Sequence, residues 1–453
     1  MKVPKALLLQ QQYLDTWNDY KLSKESKMFP AWDYIIITAS NDFQAKGYDQ
    51  QIQQRIDFLP KRTKFITISD DKNERIGSGG ATLKALKKIM ELEKKFDDLR
   101  ILLIHSGGDS SRIPQYSALG KLFSPIPRVL PDGRSSSLFD EIIISMSSVA
   151  SRIKEGIVIL SGNVLLLFNP LKIDFSSNDI ACITFKENPE NAHSHGIILG
   201  GKNDYVKKCL QKKSVETLNE LGALDKNGFV DINTGIILMS CNFMKSLYNL
   251  VDNNEKYFKM VNSKIRLNLY VDFLYPLAEE STLESFCEEK PEGELCNELT
   301  EARRIIWEEF KKNKYKLKQI KLSPSAMIHF CSIPEVMSLM NKGINDYKDL
   351  GWNNIINSSS DNVSSYNSII TPECSIGKNS YIEISYIHEK AKIGNNVYLS
   401  FVEINDEIIP DNVTLHALKI NNNKIVCRIF GINDDLKESK IFGKELSSLP
   451  FVI

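Results

Sequence analysis

Two cations stand close together in a glycine-rich stretch. His105-Ser-Gly-Gly-Asp-Ser-Ser-Arg-Ile-Pro114 is followed seven residues later by Lys121. Adjacent glycines, Gly107 and Gly108 beside Ser106, let a base and ribose approach the backbone closely. Arg112 and Lys121 can set two positive charges on a triphosphate. The spacing is not a P-loop, because the required glycine, lysine and hydroxyl pattern is absent. A second glycine-rich turn, Arg75-Ile-Gly-Ser-Gly-Gly80, leads into a helical stretch. Its Gly79 and Gly80 offer backbone N–H groups at a helix N-terminus, where phosphate is favoured; tight packing is the structural alternative. Further along, Asp231-Ile-Asn-Thr-Gly-Ile236 is a polar turn entering an apolar strand. Asp231 or Asn233 can hydrogen-bond sugar hydroxyls, and Gly235 leaves room for a ring, although a simple turn explains the pattern equally well. His195 can donate to a sugar or base or serve structurally.

These residues need elements to position them. From about residue 30 to 280, β-branched apolar runs alternate with helix-like segments. The runs include 34–38, 64–69, 100–105, 157–160, 180–184 and 235–239. Continuous apolar runs, unlike alternating ones, belong to strands buried on both faces. Helices are expected over 44–59, 81–96, 137–153, 204–220 and 242–253, which makes the fold class α/β with a mostly parallel sheet covered on both sides. From about residue 365 the texture changes. Aliphatic residues recur near every sixth position, as in Ile376 to Ile382, Ile393 to Leu399 and Ile409 to Leu415, between turns such as Ile-Gly-Lys-Asn and Ile-Gly-Asn-Asn. That period predicts an irregular parallel β-helix of few coils, with a set of short antiparallel strands as the alternative. Residues 357–365 read as a polar linker, and His388 and His416 as surface residues of coils.

Composition bounds the partners. Lys plus Arg is 57, Asp plus Glu is 57, and the net charge is zero, which argues against nucleic acid or anionic lipid as a partner. No apolar run approaches the ~18–20 residues that a membrane span needs. The N-terminus fits an amphipathic helix better than a signal peptide. Eight dispersed cysteines without a paired motif predict reduced thiols and a cytoplasmic protein.

Gly-Gly-x(3)-Arg-x-Pro with a following lysine resembles the signature of sugar-phosphate nucleotidyltransferases. The stretches Arg75-Ile-Gly-Ser-Gly-Gly-Ala-Thr-Leu-Lys84 and Ile101–Lys121, with Arg428-Ile-Phe-Gly-Ile-Asn-Asp-Asp-Leu-Lys437, resemble the fucose-1-phosphate guanylyltransferase family most closely. The resemblance implies a Rossmann-like catalytic domain over residues 1–345 and a short left-handed parallel β-helix over 346–453. It implies that GTP and L-fucose 1-phosphate give GDP-L-fucose and pyrophosphate with Mg²⁺ assistance. Some relatives carry a fused sugar kinase, and no such segment is recognisable here.

Carried over residue by residue, the resemblance gives Arg112 the β- and γ-phosphates and Lys121 the α-phosphate or sugar phosphate. Lys212 would reach the sugar phosphate, and His329 would be mainly structural. Gly162 ends a central strand. Asn163 stands where the family's metal-binding aspartate is expected, with Asp272 as the second metal ligand. A neutral Asn163 leaves open an enzyme with one acidic ligand, an attenuated enzyme, or an engineered inactive variant. The rival enzyme is another sugar-1-phosphate nucleotidyltransferase; the rival of another class is a nucleotide-sugar-binding regulatory protein. The β-helix is expected to supply a packing surface for the catalytic domain or for a second copy of the chain.

Overall fold

Four of the continuous apolar runs become adjacent parallel strands, in the order Lys64–Ser69, Tyr34–Ala39, Arg100–His105, Gly156–Ser161. Alternate side chains enter two separate apolar clusters. Ile35, Ile37, Leu102 and Ile104 lie in one, and Ile36, Ile101 and Leu103 in the other. Burial on both faces explains why the three inner runs are so apolar, whereas Lys64–Ser69, at the sheet edge, fully buries only Ile68. The computed structural model describes residues 5–70, 74–108, 110–175, 179–192, 195–211, 213–330, 332–360, 362–420, 424–435 and 439–448.

The sheet has nine strands and is mixed. Val230–Met239 pairs antiparallel with Gly156–Ser161 and with Ile180–Glu187, and Leu317–Lys321 adds a parallel strand beside Ile180–Glu187. Helices Gly77–Glu93, Leu138–Ala150 and Cys241–Asn249 contribute apolar residues to the two clusters. Ser137 and Asp140 close a capping box at the start of Leu138–Ala150, satisfying two N-terminal donors reciprocally. The N-terminal helix Lys5–Glu25 forms, but it is not sharply amphipathic, with Thr16 and Ser23 buried and Leu7, Leu8, Leu14 and Leu22 exposed, and no helix among the described residues is long and apolar enough to cross a membrane. Seven described cysteines are free; Cys331 lies outside the described residues.

One element differs in type from expectation. The helix read over 204–220 is a strand, Val206–Gln211, antiparallel to Gly196–Gly200, followed by a short helix, Val215–Glu220. Only Val206 and Leu210 of that strand are buried, four residues apart, which imitates one face of a helix.

From Ile355 onward the chain forms three short stacked sheets. From Ser364 their parallel strands repeat every 16 or 17 residues, with Tyr381 paired to Tyr398, Tyr386 to Glu403, Ser375 to Lys392 and Lys392 to Ile408, and Ile425–Gly431 closes one sheet antiparallel. Ile382 stacks on Leu399, Ile387 on Ile404 and Ile393 on Ile409, so the sixfold aliphatic period becomes an internal apolar column. The corners stack as tightly. A Cβ on Gly377 would lie 2.5 Å from the Gly394 carbonyl. Asn379, Asn396 and Asn412 adopt positive φ and form a side-chain amide ladder. The stretch read as a linker belongs to this stack. Ser364–Tyr366 pairs with Tyr381–Glu383, and the Ser359 hydroxyl donates to the Ile370 carbonyl at 3.1 Å. His416 is fully buried rather than a surface residue.

Candidate functional site

All four parallel strands end on the same side, and the cavity opens there, as ligand sites do in open α/β sheets. It encloses about 560 Å³ and is walled by Arg75, Gly77, Ser78, Gly107, Gly108, Arg112, Lys121 and the 266–268 segment. A recess of about 150 Å³ continues it past Lys121 and Gly108 to Ser106, Gly162 and Asn163. Ser106, Gly107, Gly108, Arg112, Lys121, Gly162 and Asn163 are therefore brought together, as their types suggested.

Local packing explains how the loop is shaped. The Tyr48 hydroxyl donates to the Ser106 carbonyl at 2.9 Å, and the ring lies against Gly120. Gly120 has φ +78, and a Cβ there would lie 2.3 Å from the Tyr48 ring, so only glycine fits before Lys121. The Ser106 N–H donates to Thr38 Oγ1 at 3.1 Å. A Cβ on Gly107 would be 3.3 Å from the Ala39 carbonyl carbon, whereas Gly108 faces open space. Arg75 donates to the Gly107 carbonyl, tying the two glycine-rich turns together.

Two neutral imidazoles border the cations. His105 hydrogen-bonds Thr82 at 3.1 Å, and burial pulls its pKa down to about 4. His329 packs edge to face on His195, with ring centroids 4.7 Å apart. Its pKa falls to about 4 through burial first, then through the neighbouring His195, Arg112 and Lys121. At neutral pH His105 and His329 therefore add no positive charge to that of Arg112 and Lys121. Asp70 and Glu292 place acidic groups elsewhere on the cavity wall.

Several expected contacts take another form. Gly79 and Gly80 are off the cavity wall, while Gly77 and Ser78 are on it. The Gly79 N–H donates to the Leu267 carbonyl at 2.7 Å, and its missing side chain lets the helix approach that backbone. The Gly79 N–H is thus committed to Leu267, and Gly80 faces the Ile76 side chain. Asp272 is buried, with one oxygen 2.8 Å from Arg303 Nε and the other accepting the Asn268 N–H at 2.6 Å. Burial pushes its carboxyl up, and Arg303 opposes that shift. Asp272 thereby holds Asn268, whose amide reaches Glu292 at 3.2 Å on the cavity wall. The second metal ligand expected at Asp272 is replaced by a structural ion pair.

Asp231 pairs with Lys186 at 3.1 Å, Asn233 accepts the Gly235 N–H at 3.0 Å, and Tyr270 covers Gly235. The polar turn expected here is instead part of strand Val230–Met239, whose register shifts between Asn233 and Ile237, and none of Asp231, Asn233 and Gly235 lines the cavity. Lys212 lies outside the described residues. Arg75, His105, Arg266, Asn268 and Glu292 were not singled out; only Arg75 carried a signal, as the residue opening a glycine-rich turn.

A hard divalent cation prefers carboxylate oxygens. Among the described residues no group of three or more His, Cys, Asp or Glu is arranged to hold a metal. The Asn163 amide oxygen is neutral and accepts from the Ser161 hydroxyl. These residues do not fit a protein-held Mg²⁺. What the site offers is an open backbone, two cations on one loop and fixed neutral donors, which suits a phosphorylated ligand.

The model of the Fucose pyrophosphorylase domain matches residues 93–450, a stretch that holds Arg112 and Lys121 but begins after the 75–80 turn. A bifunctional fucokinase/GDP-fucose pyrophosphorylase of Arabidopsis thaliana is 29% identical over 57% of this chain, which spans 28% of that protein's length. Fucose-1-phosphate guanylyltransferases of Mus musculus and Homo sapiens are each 24% identical over 93% of this chain and over 77% and 75% of their own lengths. With the matched stretch covering most of its length, the chain belongs to the fucose pyrophosphorylase family.

Proposed function

We propose that this protein joins GTP and L-fucose 1-phosphate to give GDP-L-fucose and pyrophosphate. One observation carries the reading: Arg112 and Lys121 converge on a cavity at the carboxyl edge of the parallel sheet, in a chain of this family. An oxygen of the sugar phosphate attacks the α-phosphorus of the nucleotide, the new P–O bond forms, and the α–β bridge breaks in line. The attacking oxygen is already anionic near neutral pH, so no protein nucleophile is needed, and catalysis is positioning with charge stabilisation. Arg112 takes up charge on the departing pyrophosphate. Lys121, shared by the cavity and its recess, bridges the α-phosphate and the sugar phosphate. The sugar phosphate enters over Ser106, Gly162 and Asn163 toward His195 and His329, with Lys212 as a further cation. Magnesium enters as the counter-ion of the triphosphate substrate.

The test is pyrophosphate release from four nucleoside triphosphates against several sugar 1-phosphates. GTP with fucose 1-phosphate is expected to give the highest kcat/KM, and Lys121→Ala to lower it by about 10²–10³-fold, as removal of one charge-stabilising donor does. Product from a different pair alone would overturn the substrate assignment. The second reading, a nucleotide-sugar-binding protein without turnover, is favoured by neutral Asn163 and by the engaged carboxylate of Asp272. Tight GTP binding by calorimetry with no pyrophosphate from any pair would establish it.

A further inference from the structure

The loop that carries Arg112 and Lys121 is held from outside its own domain. The Tyr116 hydroxyl donates to the Glu383 carboxylate at 2.7 Å and lies 3.0 Å from the Tyr398 hydroxyl. The Ser400 hydroxyl donates to the same carboxylate at 2.6 Å. Glu383, Tyr398 and Ser400 are fully buried residues of the coiled stack. A second grip lies beside the first. Arg428 Nη2 donates to the Pro114 carbonyl at 2.8 Å, Nη1 reaches the Ser117 hydroxyl at 3.2 Å, and the guanidinium contacts buried His416 at 3.0 Å. Tyr116 is also the pivot within the loop. Its N–H donates to the Ile113 carbonyl at 3.0 Å, and its carbonyl accepts the Gly120 N–H at 2.8 Å, one residue before Lys121.

Joining two layers needs no such polar network. Burying a carboxylate among hydroxyls carries a desolvation penalty that apolar residues of similar volume would avoid. Directional bonds specify one arrangement where apolar contact tolerates several. The bonds here fall on 114, 116 and 117, between the two cations.

We propose that Glu383 and Arg428 of the coiled stack are positioning residues that hold the Pro114–Ser117 turn and thereby set Arg112 and Lys121 for nucleotidyl transfer. The proposal rests on the guanylyltransferase reading for its catalytic half. Its mechanical half stands on these contacts alone.

Three full-length variants test it. Tyr116→Phe removes one hydroxyl and keeps the ring. Arg428→Gln removes the guanidinium. Ser380→Ala is the comparator, because Ser380 is a buried hydroxyl that bonds only within the stack, to the Gly394 carbonyl and the Val397 N–H. Amide hydrogen exchange over 110–123 is expected to be about tenfold or more faster in the first two variants and unchanged in Ser380→Ala. Their kcat for GDP-fucose formation is expected to fall about tenfold or more with fold retained, as a small misplacement does, and Ser380→Ala to keep it. Unchanged exchange in both variants would overturn the proposal, as would faster exchange with wild-type kcat. A wild-type protein that makes no product would sink the guanylyltransferase reading alone, and the exchange result would still decide whether the stack holds the loop.

Discussion

Arg112 and Lys121 sit among neutral imidazoles, and the carboxylate of Asp272 is already engaged. His105 and His329 are both held uncharged near neutral pH, by burial in the first case and by burial plus the nearby cations in the second. Asp272 is committed to Arg303. This pair yields a prediction separate from catalysis. Removing one member of a buried ion pair strands the other charge and costs about 3–5 kcal/mol. Asp272→Ala is therefore expected to lower the urea midpoint sharply, with or without Mg²⁺ and nucleotide. A folded Asp272→Ala protein that had lost only its dependence on Mg²⁺ would restore the metal reading. Arg112 and Lys121 could be singled out in the sequence by their types and their spacing after Gly107 and Gly108, and the fold puts both on the cavity wall. Asp272 was not. Its role depends on which way the carboxylate points, and Arg303, 31 residues later, has no local signature.

Among the elements, the inner parallel strands were legible from their continuous apolar runs, because burial on two faces leaves little room for polar side chains. Boundaries shifted modestly: the helix expected at 81–96 begins at Gly77. That shift matters, since it moves Gly79 and Gly80 inside the first turn, Gly79 against Leu267 and Gly80 against Ile76. A Cβ on Gly79 would meet the Leu267 Cβ and carbonyl oxygen at 2.9 Å, whereas one on Gly80 would meet only the Ile76 side chain at 3.2 Å. Backbone yields less readily than a side chain, and overpacking typically costs about 1–3 kcal/mol. Gly79→Ala is thus expected to destabilise more than Gly80→Ala in urea unfolding, and to raise the KM for nucleotide by displacing the 266–268 wall. Equal stability and KM in the two variants would contradict this account. The strand Val206–Gln211 stayed illegible because its two buried residues sit at a helical interval.

At the scale of the whole molecule, the two textures of the sequence do not translate into two independent bodies. Tyr366, Tyr381, Tyr398 and Phe430 from the stack share one apolar cluster with Ile35, Leu102 and Phe139. Arg128, ion-paired at 3.1 Å to buried Glu141, also donates to the Leu350 carbonyl. A shared core couples unfolding, so calorimetry is expected to give a single transition at neutral pH; two separated transitions would show that the stack and the sheet melt independently. The coils were legible from their sixfold aliphatic period. Their attachment to the signature loop was not, because a contact between residues far apart in the chain leaves no periodic trace.

That separation has a temporal consequence. Tyr116 and Glu383 are 267 residues apart, and Ser117 and Arg428 are 311 apart. A ribosome adding about 5–20 residues per second therefore finishes the loop roughly 15–60 s before it finishes the residues that grip it. During that interval the growing chain carries Arg112 and Lys121 without the contacts from Glu383 and Arg428. The last coils to emerge complete a loop that was among the first parts made.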